Sequence, residues 1–181
     1  MIKKHLIVIT VLLISYILLS YGVKETSSSD AGKGARDTAV AGRIYDGDTI
    51  AVFVDGRFQK VRLIGIDAPE IDQRPWGRKA QECIEALIRA SASKVSLEYD
   101  LERRDKYGRI LAYMWGQDGK MLNEEMLRRG CAVLFTVPPN VKYAGRLRAA
   151  QEKARELKVG VWSENGLKER PYEFRKEHPR R

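Results

Sequence analysis

Histidine is nearly absent from this chain, with His5 near its start, His178 near its end and none between. A histidine general base, a His-bearing zinc site and a Ser-His-Asp triad each need one inside the domain, so all three are excluded. No glycine-rich phosphate loop of the P-loop or dinucleotide type occurs either. Cysteine is scarce, at Cys83 and Cys131 alone. Two readings stay open for the pair, a disulfide in an exported chain or two small buried hydrophobes, and neither makes a cysteine the nucleophile. There is no internal repeat. Carboxylates and arginines remain, a set suited to a hard cation and a phosphate.

Acidic residues are outnumbered, 24 against 33 Lys and Arg, for a net charge of +9. That excess favours a polyanionic partner, nucleic acid or an anionic membrane surface. At 181 residues and 44% hydrophobic, the chain can bury a core as one domain plus terminal extensions. The only long apolar run spans residues 6–19, behind Lys3 and Lys4 and ahead of the small residues around Ser20-Tyr21-Gly22. That pattern predicts an export signal over residues 1–22 and a secreted or envelope-associated protein. Extended to Val23 the run approaches a spanning length, so an anchor over residues 6–23, and with it membrane attachment, is the alternative. No cysteine lies near the junction, which argues against a lipoprotein. Loss of residues 1–22 would leave a charge of +7. Residues 23–38 are polar and read as a flexible linker.

From Val40 the pattern changes. Val40, Ile44, Ile50, Val52 and Val54 fall on two strand-like runs separated by "DGDT", whose Asp46-Gly47 pair is a hairpin signal. A second turn, "VDGR" at 54–57, leads into a strand expected over 61–66. "WGRKAQECIEALIRA" sets Ala80, Cys83, Ile84, Leu87 and Ile88 at helical spacing. "KVSLEYD" and "RILAYMWG" read as strands joined by "LERRDKYG", and "LNEEMLRR" as a short helix stopped by Gly130. An extended run follows at Ala132–Phe135, then a helix over about Lys142–Lys158 with Val141, Ala144, Leu147, Ala154 and Leu157 on its apolar stripe. Three strands, a helix, two strands and further helices make an α+β, mainly β chain. A five-stranded barrel with a helix between its third and fourth strands is the oligonucleotide-binding (OB) fold. The domain is expected over 39–165 and a charged tail over 166–181, on which Tyr172 and Phe174 are candidates to dock.

The stretch "VRLIGIDAPEID", residues 61–72, is unusual for a core strand because it contains Arg62 and ends in Asp67, Glu70 and Asp72. Buried charges need one another, a metal or a charged ligand. Two further clusters lie at turns, Asp46-Gly47-Asp48-Thr49 and Asp105-Lys106-Tyr107-Gly108-Arg109. Each alone is most simply a solvated turn; their joint presence around one barrel is not.

"DGDT", "VRLIGIDAPE" and "DKYGRILAY", in that order and with a helix between the last two, resemble the staphylococcal nuclease (thermonuclease) family, with similarity running from about Val40 to "VGVWSEN" at 159–165. The resemblance implies a monomeric, calcium-dependent phosphodiesterase on an OB fold, acting on DNA and RNA with single strands preferred. It implies Asp48 and Asp67 as Ca²⁺ ligands through carboxylates and Ala68, where some members have Thr, through its backbone carbonyl. It implies Glu70 as general base, Arg62 and Arg109 as the phosphate-binding arginines, and Lys106 and Tyr107 near the bound nucleotide. The family's later tyrosines fall where this chain has Phe135 and, beyond Pro138-Pro139, Tyr143. The competing readings are a non-catalytic single-strand-binding barrel and an adhesin for anionic surfaces; the first would be expected to lose the acids or arginines retained here.

Overall fold

The structure is a computed structural model that describes residues 36–179; the expected signal or anchor and most of the linker lie outside them. Among the described residues no helix is long and apolar enough to cross a membrane.

Strands β1 (Arg36–Ile44), β2 (Thr49–Val54), β3 (Arg57–Leu63), β5 (Lys94–Glu98) and β6 (Ile110–Gly116) close a barrel in the order β1-β2-β3-β6-β5. Helix α1 (Trp76–Ala90) lies between the third and fourth barrel strands, as the OB pattern requires. Every pairing is antiparallel except β3 with β6, where Val61, Arg62 and Leu63 stand opposite Ile110, Leu111 and Ala112. The β2–β3 hairpin turns through Asp55 and Gly56, both in the left-handed region at φ 51° and 75°, which suits a two-residue loop between twisted strands. The "DGDT" connection is wider. Tyr45 N–H donates to the Thr49 carbonyl at 3.0 Å, and Asp46 Oδ1 accepts from Asp48 N–H at 3.0 Å.

The structure departs from the sequence pattern in three places. The strand expected over 61–66 is two strands: β3 ends at Leu63, and β4 (Gly65–Asp67) leaves the barrel to pair with β7 (Val133–Phe135). Gly65 makes the break, at φ +79° and so close to Leu147 that a Cβ would lie 2.3 Å from its Cδ1. Buried Asn123, on α2 (Leu122–Arg128), holds the junction by donating to the Ile64 carbonyl at 2.8 Å and accepting from Met114 N–H at 2.9 Å. Second, β1 begins at Arg36, inside the stretch read as linker, because residues 36–38 pair with β5 and Arg36 binds Glu98. Third, α3 (Ala144–Glu156) buries Leu147, Ala150, Gln151 and Ala154, whereas Val141 and Leu157 flank it exposed.

The barrel core of Ile50, Leu63, Leu97, Tyr113 and Met114 continues into the helices through Ile84, Met126, Leu127 and Leu147. Helix α1 docks by the stripe the sequence predicts, although Cys83 is only half-buried. Its sulfur is bonded to Cys131 across 48 residues, which resolves the two cysteine readings in favour of the disulfide. A closed loop of that length stabilises by about 4 kcal/mol in the chain-entropy picture. The tail forms a short helix, α4 (Pro171–Glu177).

Candidate active site

The barrel opens on one side into a cleft of about 1140 Å³, lined by Asp46, Asp48, Arg62 and Glu70, by Lys106, Tyr107 and Arg109, and by Phe135, Tyr172 and Arg175. Asp67 lies behind this lining, 1% exposed.

Arg62 is the hub. The β2–β3 register sets it opposite Thr49, next to Asp48. One of its terminal nitrogens binds Asp48 Oδ2 at 2.9 Å and the Ile66 and Leu63 carbonyls at 2.9 and 3.2 Å. The other binds Asp67 Oδ1 at 3.1 Å. One guanidinium thus bridges both carboxylates that the family resemblance assigns to the metal. Asp48 Oδ2 also accepts from Ala68 N–H at 2.7 Å, so Asp48, Asp67 and Ala68 form one cluster.

Glu70 sits in the loop between β4 and α1. Its N–H donates to Gln73 Oε1 at 3.0 Å and its carbonyl accepts from Gln73 N–H at 2.8 Å. Gly77, in the first turn of α1, lets that loop approach the helix. A Cβ there would fall 1.9 Å from the Glu70 carbonyl oxygen. The third predicted cluster is a turn closed by Asp105, whose Oδ1 accepts from Tyr107 and Arg109 N–H, each at 3.0 Å, while Oδ2 binds Arg109 Nε at 2.7 Å. Because β6 runs beside β3, this turn brings Arg109 to the same cleft as Arg62. Tyr107 is 72% exposed at the rim, with the Lys106 ammonium 5.1 Å from its ring centre.

Arg175 escaped sequence reasoning, and Tyr172 was expected only as a candidate to dock. Arg175, in the tail helix, binds Glu70 Oε1 at 2.8 Å and Asp67 Oδ1 and Oδ2 at 2.9 and 3.0 Å. Tyr172, one turn earlier, stacks on Phe135 at 5.7 Å, so an aromatic pair lines the cleft and its tyrosine comes from the C-terminus. Tyr143 is instead structural, donating to Glu98 at 2.7 Å and packing edge-on against Tyr113 and Trp115. The segment "RPYE", read in sequence only as charged tail, carries a helix-start pattern, with Pro171 at the first position and the Glu173 carboxylate accepting from Arg170 N–H at 3.3 Å. Nothing local signalled where that helix docks.

Acids crowd the site. Arg62 pairs with Asp48 and Asp67, Arg175 with Asp67 and Glu70, Asp46 lies beside Asp48, and Arg109 is matched by Asp105. Burial, and then the neighbouring Asp48 charge, raise the Asp46 carboxyl from the usual 3.8 to about 6. Burial also raises Asp67, and the two guanidiniums only partly offset it. Burial works against the charge on Arg175, but its bonds to Glu70 and Asp67 outweigh that and raise its pKa.

The sequence has known relatives. The model of the staphylococcal nuclease homologues matches residues 60–164, more than half of the chain. The chain belongs to the staphylococcal nuclease family. Within that family it is 37% identical over 161 residues to a thermonuclease of Staphylococcus hyicus, covering 86% of this chain and 91% of that protein. A Staphylococcus intermedius thermonuclease is 35% identical over 86% of this chain and 92% of its own length. The endonuclease YncB of Bacillus subtilis is 37% identical over 131 residues, 68% of this chain and 61% of that protein. The family match spans Arg62, Asp67, Ala68, Glu70 and the 105–109 turn.

Proposed function

We propose that this protein is an exported, Ca²⁺-dependent nuclease that hydrolyses phosphodiester bonds in DNA and RNA. The observation that carries the reading is the convergence, in one cleft of a staphylococcal nuclease family member, of an acid-rich cluster with Arg62 and Arg109. Asp46, Asp48, Asp67 and Glu70 crowd together, and burial raises the Asp46 and Asp67 carboxyls, so a divalent cation would be welcome there. Among the described residues no three His, Cys, Asp or Glu side chains form a ready-made metal cluster. The fitting donors are therefore two carboxylates, a backbone carbonyl and water, an all-oxygen set that suits Ca²⁺. Asp48 Oδ1 and Asp67 Oδ2 each accept one hydrogen bond, from Thr49 and Arg175, so each keeps acceptor capacity. Asp48, Asp67 and the Ala68 carbonyl would hold the ion, which when bound supplies positive charge to the phosphate and orders water.

The chain's own residues do the rest. Glu70 takes the proton of the attacking water. Arg62 and Arg109 donate to phosphate oxygens as charge builds, each worth roughly 3–4 kcal/mol of transition-state stabilisation. Lys106 and Tyr107 at the rim, and the Phe135–Tyr172 pair, meet the flanking nucleotide. Unpaired bases can stack there, which favours single strands. The Cys83–Cys131 disulfide supports an oxidising compartment outside the cytoplasm.

The deciding experiment incubates the purified protein with single-stranded DNA in Ca²⁺ and then in excess chelator. Cleavage should stop in chelator, and Arg62→Lys or Arg109→Lys should each lose about 10²-fold or more in turnover, because lysine cannot reproduce the bidentate fork. Salt-dependent binding without cleavage in Ca²⁺ would identify a non-catalytic barrel instead.

A further inference from the structure

We propose that Arg175 is a positioning residue for this reaction, spanning the base and a ligand of the proposed site, so that the C-terminal helix completes the active centre. The inference rests on the nuclease reading for its catalytic meaning, but the geometry that carries it stands alone.

One guanidinium reaches both acids, Glu70 through one terminal nitrogen at 2.8 Å and both Asp67 oxygens through the other at 2.9 and 3.0 Å. Those carboxylates come from opposite ends of a short loop and repel each other. A planar cation with fixed nitrogen spacing sets their separation as a point charge cannot. The helix that delivers it has little other reason to be ordered. At seven residues α4 is too short to be stable alone, and Pro171 is its only buried residue. Beyond Pro171, three contacts seat it, and those of Tyr172 and Arg175 lie at the cleft. Tyr172 stacks on Phe135 at 5.7 Å, Gln73 Nε2 donates to the Glu169 carbonyl at 3.0 Å, and Arg175 grips the two acids. Gln73 also holds the Glu70 backbone, so two of the three seats lead to Glu70. A helix kept only to cover the core would bury apolar side chains; this one presents an arginine to the site.

In the mechanism, the bond to Glu70 Oε1 restrains how that carboxylate swings into the cleft, and the bonds to Asp67 keep the neighbouring acid from displacing it. Arg175 makes no contact with substrate in this role. Its loss should lower the rate of the chemical step and leave substrate affinity alone, because a small displacement of a reacting group is enough to cost up to about 10²-fold.

The test compares full-length wild type with Arg175→Gln, Arg175→Lys and Tyr172→Ala, measuring kcat and KM on single-stranded DNA, thermal midpoint, and amide hydrogen exchange across residues 68–77. Arg175→Gln should lower kcat about 10- to 100-fold with KM within about twofold. Exchange at the Gln73 and Gly77 amides, which bond the Glu70 and Gln73 carbonyls, should quicken while the barrel strands are unchanged. Lysine should restore part of kcat. Tyr172→Ala, which keeps the arginine but removes a seat of its helix, should shift kcat in the same direction, and it stands in if Arg175→Gln fails to fold. Unchanged kcat and unchanged exchange in folded Arg175→Gln would overturn the proposal. So would a raised kcat, which would make the guanidinium a block on the acids. If wild type cuts nothing yet exchange at Gln73 and Gly77 still responds, positioning stands and the nuclease reading falls.

Discussion

Glu98 and Asp67 are both buried carboxylates gripped by cationic side chains, yet their surroundings differ in kind. Glu98 is one acid among several donors: Arg36 Nε at 2.9 Å, Lys142 Nζ at 2.6 Å and the Tyr143 hydroxyl at 2.7 Å. Burial pushes its pKa up, but those bonds outweigh it and hold the group below the usual 4.5. Around Asp67 other acids crowd in beside the two guanidiniums, and Asp46 and Asp67 are both raised. The first cluster is satisfied and ties β1, β5 and the start of α3 together. In the second, burial and neighbouring acids keep two carboxyls raised in spite of their guanidinium partners. Acids crowded together at a cleft are the mark of a site; a buried acid held by several donors is the mark of a joint.

The strongest way to break this contrast is to remove the joint. Glu98→Gln should destabilise by about 3–5 kcal/mol, the usual effect of stranding one half of a buried ion pair. It should leave turnover near wild type at temperatures where the variant is folded, as urea unfolding and an activity assay would establish. Asp67→Asn should do the opposite. Turnover should fall by about 10²-fold, while the unfolding midpoint in chelator should shift by less than the equivalent of about 1 kcal/mol, since acid repulsion is relieved as ion pairs are weakened. Equal stability losses from both variants would erase the distinction.

The pH dependence sharpens it with a smaller effect. Glu98 is lowered in the fold, so its contribution is fully present above the unfolded value of about 4.5 and is lost as pH falls through the folded value. Asp46 is raised to about 6 from 3.8, so the folded state holds its proton more tightly; its contribution is present below 3.8 and fades as pH rises through 6. Asp46→Asn in chelator should therefore be more stable than wild type above pH 6, by about 1–3 kcal/mol, and no more stable below pH 4. Its amide oxygen can still accept from Asp48 N–H. Urea midpoints at pH 3.5 and 7.5 measure the difference.

How much of this was legible in the sequence follows from distance along the chain. Hairpin turns, strand alternation and the stripe of α1 are local patterns, and they gave the barrel and the helix inserted in it. Asp48, Arg62, Asp67 and Glu70 were legible because charge interrupts an apolar pattern within 23 residues. The division at Ile64–Gly65 was not, since an apolar run reads as one strand until Leu147 and Asn123 are known to pack on it. Glu98 looked like an ordinary strand end because its partners lie 62 and 44 residues away. Arg175 looked like one more charge in a polar tail, its acids 105 and 108 residues back.

The parallel pairing of β3 with β6 has a kinetic consequence. It joins strands nearly fifty residues apart through three residue pairs, while their other neighbours, β2 and β5, are sequence-adjacent antiparallel partners. Such a non-local seam, like the longer-range β1–β5 pairing, is expected to close after the hairpins on either side have formed. Arg62 lies on one lip of that seam and Arg109 just before the other. Arg62 and Arg109 are therefore brought together by a late-closing seam of the barrel, and a brief unzipping there would part them while both hairpins stay intact.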